Sequence, residues 1–260
     1  MRHLPFLLAV WKANLLSAME YRVSFLTQMV GMILNDAMYF MIWVVFFDRF
    51  KDVRGWGLGD MAVTFGITAS AFGLVSLLFG NAFMLGEIIT KGRLDYYLSL
   101  PRPVLLHAVA SRSVSSGMGD VVYGILSFSL SGTASPGAFA RFVLAVCLSA
   151  AVFVAFLILV QSLAFWMGSS ANLAQLAINA MVTFAIYPIT LFDSTARLIL
   201  FTVIPAALMG AVPASFARQF SWQTLAELLV GAAALLALAV AVFQTGLRRY
   251  ESGSAMQTEV

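Results

Sequence analysis

The chain has 260 residues, of which 61% are hydrophobic and only 10% are charged, and its formal net charge is +3. Soluble domains carry about 25% charged residues, so this composition excludes a soluble fold and predicts a membrane protein with about six spans of roughly 20 residues each. The basic residues are scattered at predicted helix ends, which argues against a nucleic-acid partner, and the single cysteine, Cys147, excludes an intrachain disulfide.

Residues 1–22 have apolar side chains at helical spacing but are too polar to span a membrane. The pattern predicts a helix that lies in the interface between lipid and water, with Trp11 at the depth of the headgroups. The apolar stripe consists of Leu4, Leu8, Trp11, Leu15 and Met19.

Longer apolar stretches follow, and each of them predicts a membrane span. The predicted spans are 23–47, 61–83, 105–130, 142–167, 172–191 and 223–246. The second span is rich in small residues, which let membrane helices approach one another closely or leave room for a pathway. These residues are Gly66, Ala69, Ser70, Gly73, Ser76 and Gly80.

Residues 192–222 are long and apolar enough for a further span, but two prolines interrupt them. A seventh span would put the two termini on opposite sides of the membrane, whereas a segment that enters and returns would keep them on one side. With six spans, nine of the 15 Lys and Arg residues lie on the side of the termini, and the positive-inside rule makes that side cytoplasmic. We therefore predict a re-entrant helical hairpin that is kinked near Pro205 and Pro213.

The predicted fold class is thus an all-α membrane protein that forms one transmembrane domain over residues 1–260. The parts that do not span are an interfacial helix at 1–22, a cytoplasmic segment at 84–104, an outer re-entrant segment at 192–222 and a cytoplasmic tail at 247–260.

Motifs of enzymatic chemistry are missing from the sequence. It contains no Gly-Lys pair, and therefore no Walker A loop to hold nucleotide phosphates. The two histidines, His3 and His107, are distant in sequence and lack nearby carboxylates, which argues against a zinc site. No H-E-x-x-H helix and no G-x-S-x-G turn occurs. We therefore expect no catalysis, metal or cofactor in this chain.

Four polar residues within predicted spans are candidates for a role inside the membrane, where an ionised group costs about 2.5–3.5 kcal/mol on insertion scales. Asn35 and Asp36 lie near the middle of the first span. They fit either a polar contact in a translocation path or subunit interface, or a buried carboxyl bonded to a neighbouring helix. For Asp120 in the third span, a structural partner is the favoured interpretation, and Gln161 in the fourth span predicts an interhelical hydrogen bond.

The longest polar interruption runs from Glu87 to Arg112. Its apolar and charged residues alternate up to Pro101 and Pro103, which is typical of short amphipathic helices ended by proline. A solvated loop would not need its tyrosines and leucines, whereas a groove in a soluble partner would bind them. We predict that the docking residues are Glu87, Ile88, Ile89, Lys91, Gly92, Arg93, Leu94, Asp95, Tyr96, Tyr97, Leu98 and Pro101.

The run KGRLDYYLSLPRPVLL at 91–106 resembles the permease subunits of type-2 ATP-binding cassette (ABC) exporters. The resemblance covers essentially the whole chain and is closest to a bacterial subgroup of small six-span permeases of poorly defined substrate. Further similar stretches are KANLLSAMEYRVSF at 12–25, QSLAFWMG at 161–168, Tyr187-Pro188-Ile189, the pair Ile204-Pro205 and Val212-Pro213, and LRRYESG at 247–253.

This resemblance implies six spans, an interfacial N-terminal helix, a coupling helix at 87–100 and an outer re-entrant pair at 196–217. It also implies a dimer of ABC ATPase subunits, which would bind ATP and Mg²⁺ themselves. The second permease would be a related but different chain, or an identical copy. The location implied is the bacterial cytoplasmic membrane, with both termini cytoplasmic.

On this basis the chain is expected to form half of an export path that the ATPase moves through the coupling helix. The first, second and fifth spans supply an apolar, aromatic and small-residue lining, which favours an amphipathic, lipid-like or drug-like cargo. Two other functions are open: an ion-coupled secondary transporter that uses Asp36 and Asp120, and a non-transporting membrane scaffold for a cytoplasmic partner.

Overall fold

The computed structural model describes residues 3–168 and 170–251, and these residues are helical almost throughout. Within these ranges, the only β-structure is an isolated bridge between Val53 and Trp56, so the all-α prediction is confirmed. The predicted tail extends to residues 252–260, which lie outside the described residues. The helices are α1 (His3–Glu20), α2 (Arg22–Arg49), α3 (Leu58–Phe79), α4 (Leu85–Thr90), α5 (Leu94–Leu98), α6 (Val104–Ala110), α7 (Gly117–Leu130), α8 (Pro136–Ser162), α9 (Ala164–Met167), α10 (Ala171–Ala185), α11 (Ser194–Thr202), α12 (Ala206–Met209), α13 (Ala211–Arg218) and α14 (Trp222–Leu247).

In the part of the chain that the structure describes, four helical stretches are long and apolar enough to cross a membrane. They are Arg22–Arg49, Leu58–Thr90, Pro136–Met167 and Trp222–Leu247. A fifth results if α11 and the segment Ala206–Arg218, which are bent by 69° relative to each other, count as one span. Helices α7 and α10 are apolar but have only 14 and 15 residues, fewer than the roughly 20 that a bilayer requires.

The predicted third span at 105–130 is not a single helix, because α6 and α7 are separated by residues 111–116. Backbone groups of this connection bond to neighbouring elements instead of continuing a helix. The N–H of Val114 donates to the carbonyl oxygen of Ser76 in α3 at 2.8 Å. The carbonyl oxygen of Ser111 accepts from Nδ2 of Asn14 in α1 at 3.4 Å.

Helices α3 and α7 pack backbone against backbone. A Cβ atom on Gly66 of α3 would lie 2.8 Å from the carbonyl oxygen of Gly124 in α7, and one on Gly117 of α7 would lie 2.7 Å from that of Gly73 in α3. No side chain fits at such distances, so glycine is required at these positions. Small residues of the second predicted span thus lie where α3 and α7 meet, as expected of residues that let membrane helices approach closely.

The long helices run between two ends of the molecule. One end, called the hairpin end here, carries α11–α13 and the starts of α3 and α8. There Arg218 pairs with Asp60 at 2.6 Å, and Nε of Arg141 donates to the carbonyl oxygen of Ala217 at 3.1 Å. The other end, called the coupling end, carries α1, α4–α6, α9 and the end of α14.

The bend between α11 and α12 follows Thr202 and lies at Pro205. A second break lies at Gly210, between α12 and α13. Gly210 contacts the backbone of Ala185 in α10 so closely that a Cβ atom would not fit. Pro213 lies in the first turn of α13, where its missing N–H costs no helical hydrogen bond. The break predicted near Pro213 is therefore located at Gly210.

Helix α1 exposes its predicted apolar stripe except for Trp11, which contacts Phe79 of α3 and does not point to the headgroups as predicted. Leu4, Leu8 and Met19 are exposed, whereas Leu7 is buried and Nε1 of Trp11 donates to the carbonyl oxygen of Leu78 at 2.8 Å. An exposed apolar stripe beside an anchored face is the arrangement expected of a helix that lies on lipid.

Candidate functional site

The segment 84–104 folds as two short helices joined by a tight turn at Gly92. This glycine has a φ of +69°, the left-handed conformation that commonly ends helices and that glycine adopts without steric cost. The N–H groups of Lys91 and Gly92 bond to the carbonyl oxygens of Glu87 and Ile89 at 3.0 and 3.2 Å. The Lys-Gly-Arg sequence therefore reverses the chain between α4 and α5.

Three of the predicted docking residues face the protein instead of a partner. Ile88, Ile89 and Leu94 are buried in the hydrophobic core. Because burial removes these side chains from the surface, they hold the segment in place and cannot form a docking contact in this structure.

Tyr97 also anchors the segment. Its hydroxyl group lies 2.9 Å from Oγ of Ser111 and accepts a hydrogen bond from Nδ2 of Asn81 at 3.3 Å. The same Nδ2 donates to the carbonyl oxygen of Ala108 at 2.8 Å. This polar cluster fixes α5 against α6 and the turn after α3, so Tyr97 is a structural residue as well as a predicted docking residue.

The remaining predicted residues form an exposed cap on α4 and α5. Tyr96 is 63% exposed and Leu98 is 43% exposed. Glu87 accepts from Nζ of Lys91 at 2.6 Å and from Nη2 of Arg93 at 3.2 Å. Such exposed ion pairs add little stability. The surface therefore combines an aromatic and an aliphatic side chain with basic groups. Its exposed members are Lys91, Arg93, Tyr96, Leu98 and Pro101, named the coupling cap below.

Both ends of the described chain reach this region. The ring of Phe6 in α1 packs edge-on against His107 at 4.9 Å and lies under the guanidinium of Arg102 at 4.8 Å. Tyr250, after α14, lies beside Asp95 of α5, and burial together with this carboxylate raises the pKa of Tyr250 to about 12. The phenol therefore stays protonated at neutral pH.

Gln161 lies at the coupling end and not among the other intramembrane polar candidates. Its Oε1 accepts from the N–H of Gly86 at 3.1 Å, and its Nε2 donates to the carbonyl oxygen of Phe83 at 2.6 Å. Both backbone groups belong to the break between α3 and α4, where a helix leaves such groups without partners. Gln161 thus stabilises the start of the coupling segment through interhelical hydrogen bonds.

A cavity of about 600 Å³ lies between α2, α3 and α10. Its polar lining is supplied by all three helices, and Asp36 is the only described lining residue that carries a charge. The polar residues are Asn35, Asp36, Thr68, Gln175, Asn179 and Thr183. The cavity is called the α2–α3–α10 cavity below.

Asp120 of α7 lies behind Asp36, and the two carboxyl groups interact directly. Helices α2 and α7 can approach this closely because residue 119 of α7 is glycine. A Cβ atom at Gly119 would overlap the carbonyl oxygen of Met29 in α2. Asp36 is 9% and Asp120 is 2% exposed, and Oδ2 of each lacks a hydrogen-bond partner by geometry. The structure therefore brings Asn35, Asp36 and Asp120 together, and leaves Pro205 and Pro213 at the hairpin end.

The sequence model of the family described as ABC-2 family transporter protein matches residues 33–254. The chain belongs to the ABC-2 transporter family. The match includes the coupling segment, the hairpin and all the helices that line the cavity. Comparison with curated proteins gave no match, and comparison with solved structures gave none either.

As an ABC-2 family member with several membrane-spanning helices, this chain is a multi-pass membrane permease. Permeases of this family are typically non-catalytic, and the family generally implies a partner ABC ATPase. The resemblance stated from the sequence is thereby confirmed at the level of the family.

Sequence reasoning on this ABC-2 permease missed Asn81 and Thr68. Asn81 holds Tyr97 and the end of α6, and its signal was a lone amide among apolar residues at the end of a span. Thr68 lines the α2–α3–α10 cavity with a hydroxyl that has no partner. No local pattern distinguishes it from Thr64 on the same helix, whose hydroxyl bonds to Asp60.

Proposed function

We propose that this chain is the permease subunit of an ATP-driven ABC exporter, in which it forms half of the translocation path. A dimer of ABC ATPase subunits binds ATP and Mg²⁺ and moves the permease through the segment 87–100. A second permease, related or identical, supplies the other half of the path. The observation that carries this proposal is the coupling cap, an exposed surface on a segment that is rigidly anchored from beneath.

The proposed topology has six spans, formed by α2, α3, α7 with its preceding turn, α8, α10 and α14. Helices α11–α13 form the outer re-entrant hairpin. The contacts support this arrangement, because α1, the coupling segment and Tyr250 lie together at the coupling end. An even number of crossings follows from that position of the two ends. The proposed location is the bacterial cytoplasmic membrane, with both termini and the coupling end in the cytoplasm.

Anchoring of the coupling segment supports force transmission. A push on α5 reaches α6 through Tyr97 and Ser111, and it reaches α8 through Gly86 and Gln161. Each of these contacts is a hydrogen bond between different helices, so the segment moves together with the spans and not independently of them. A surface loop without such hydrogen bonds could move without displacing the spans.

The docking test compares exposed residues at opposite ends of the permease. The double variant Tyr96→Glu with Leu98→Glu removes the apolar part of the coupling cap. We expect at least a tenfold loss of co-purification with the partner ABC ATPase, because a few apolar side chains usually carry most of a docking energy. Tyr97 is left unchanged, since its replacement would also break the contact with Ser111.

The control is Phe50→Glu, which places one negative charge, half of the charge that the double variant adds, on a residue that is 53% exposed in the loop after α2. It should retain the ATPase at the wild-type level. Undiminished co-purification of the double variant would rule out the coupling cap as the docking site.

An ion-coupled secondary transporter is the second candidate, and the interaction of Asp36 with Asp120 favours it. It requires transport in membrane vesicles that contain the permease and no ATPase. The exporter instead requires that flux stop when the ATPase is omitted. A scaffold that moves nothing would bind the ATPase through the same cap but show no flux under either condition.

A further inference from the structure

Two residues that line the α2–α3–α10 cavity each carry a polar atom for which the described residues offer no hydrogen-bond partner. Asp36 lines it with more than nine-tenths of the residue buried, and its Oδ2 lacks a hydrogen-bond partner. Thr68 lines it from α3, is 2% exposed, and its hydroxyl also lacks a partner. Buried polar groups without partners cost free energy, so these atoms point to a ligand that completes the site.

The electrostatics of the site favour a bound cation or a shared proton. Asp36 and Asp120 hold two carboxyl groups together between α2 and α7. None of the described residues that line the cavity is Lys, Arg or His. Two neighbouring carboxylates in a medium of low dielectric constant cannot both stay ionised without a proton or a cation beside them. The protein itself supplies no basic side chain at the wall of the cavity.

The shape and the apolar wall of the cavity select an organic cation over a metal ion. Its volume of about 600 Å³ falls within the range of small-molecule sites. Phe65 and Phe72 of α3, Phe83 after α3, and Tyr39 of α2 present aromatic side chains to it. Aromatic rings attract organic cations through their π-faces and bury apolar groups at the same time. Among the described residues, no group of three or more His, Cys, Asp or Glu side chains could hold a metal.

We propose that the α2–α3–α10 cavity binds an amphipathic organic cation, whose positive charge lies against Asp36, backed by Asp120, and whose apolar body lies against the aromatic rings. This site deepens the proposed function, on which it rests, by assigning the cargo to amphiphiles that carry an amine or quaternary ammonium group. The helices that line it correspond to the predicted first, second and fifth spans.

The test measures ligand binding to the full-length permease in lipid nanodiscs, without ATPase and without ATP. The probe is tetraphenylphosphonium, a permanent cation, and the matched probe is tetraphenylborate, an anion of the same shape. Equilibrium dialysis should show that the permease binds the cation at least tenfold more tightly than the anion. Equal binding of the two ions, or no binding of the cation, would overturn the proposal. The second result would mean that the two carboxyl groups only share a proton.

The variants assign the binding to the site. Asp36→Asn and the double variant with Asp120→Asn should each weaken binding of the cation at least tenfold. Asp48→Asn removes the same charge from the exposed end of α2 and should change the affinity less than twofold. Equal losses in Asp36→Asn and Asp48→Asn would overturn the proposal, because a general effect of charge would then explain the binding.

A larger side chain in the cavity tests the site independently, in case the variants with Asp36→Asn or Asp120→Asn do not fold. Thr183→Trp places a large side chain in the cavity from an exposed position of α10. It should weaken binding of the cation at least fivefold, and unchanged binding would contradict the location of the site. Failure of this proposal would leave co-purification with the ATPase intact. Failure of the docking test would leave binding of the cation intact.

Discussion

Two faces of α3 differ in how closely other helices approach them. On one face, Gly66 and Gly73 bring α7 into backbone contact. On the other face, Phe65, Thr68 and Phe72 look into the α2–α3–α10 cavity. Glycines thus lie where α3 and α7 touch, whereas the cavity face carries two phenylalanines together with the smaller Thr68 and Ala69. The two faces of one helix therefore separate a close backbone contact from an open space.

The difference also separates a fixed part of the permease from a part that can change. Helices α3 and α7 share a surface without room for any added atom, and packed surfaces of this kind do not deform continuously. Helix α10 contacts α3 less closely than α7 does, whereas α2 is held against α7 by the contact of Gly119 with Met29. On the proposed function, movement of the cargo path would therefore involve α10 more than α2, α3 and α7.

Adjacent residues of α3 give the strongest test of this contrast. Ser70 lies on the closed face, where its side chain occupies the space that a Cβ on Gly124 would need, and Ala69 lies on the open face and lines the cavity. We expect Ser70→Leu to destabilise the permease by about 3 kcal/mol or more, since an overfilled contact forces backbone shifts. Ala69→Leu should cost less than about 1 kcal/mol, because its added atoms enter the cavity.

The measurement is the fraction of monodisperse protein after heating in detergent, followed by size-exclusion chromatography. The contrast between the faces breaks down if Ala69→Leu lowers the melting temperature as far as Ser70→Leu does.

Two glycine-to-alanine variants provide a smaller test, because one should lower and the other should raise the stability of the permease. A Cβ on Gly73 would overlap the carbonyl oxygen of Gly117, so Gly73→Ala should destabilise the permease by about 1–2 kcal/mol. Gly31 of α2 has no atom within 4 Å of an added Cβ, and Gly31→Ala should stabilise the helix by about 0.5–1 kcal/mol. The same heating assay measures both variants, and melting temperatures that shift in the same direction would contradict the assignment of faces.

The closed face of α3 was accessible from the sequence, whereas the open face was not. Gly66, Ser70 and Gly73 recur at the spacing of one helix face, and small residues at such spacing predict close packing between membrane helices. The cavity depends on where α10 lies relative to α2, and these helices are far apart in sequence. A single chain without an alignment carries no signal for that distance.

In the coupling segment, too, some features can be predicted from the sequence and others depend on the fold. Its position between two spans, its proline stop and its alternation of apolar and charged residues were all visible in the sequence. The sequence could not separate Tyr96, which is exposed, from Tyr97, which bonds to Ser111. The rotation of so short a helix is set by tertiary contacts and not by its own pattern. The carboxyl groups of Asp36 and Asp120 were likewise recognised one by one, while their interaction requires the fold.

The smallest effect is expected from hydroxyl groups on the two faces. Oγ of Ser127 in α7 donates to the carbonyl oxygen of Ala62 in α3 at 2.8 Å, and both atoms are buried. Ser127→Ala should therefore cost about 0.5–1.5 kcal/mol, a range that includes the average of about 0.6 kcal/mol for hydrogen bonds between membrane helices.

Thr68 lines the cavity and its hydroxyl is buried without a partner, so Thr68→Val should leave the stability of the empty permease unchanged or raise it slightly. With tetraphenylphosphonium present, both variants should gain stability as the wild type does, because a cation without hydrogen-bonding groups makes no use of the Thr68 hydroxyl. Heating curves with and without this ion check the pair. A loss of stability in Thr68→Val equal to that in Ser127→Ala would show that the Thr68 hydroxyl has a partner inside the protein, and that it is not available to a ligand.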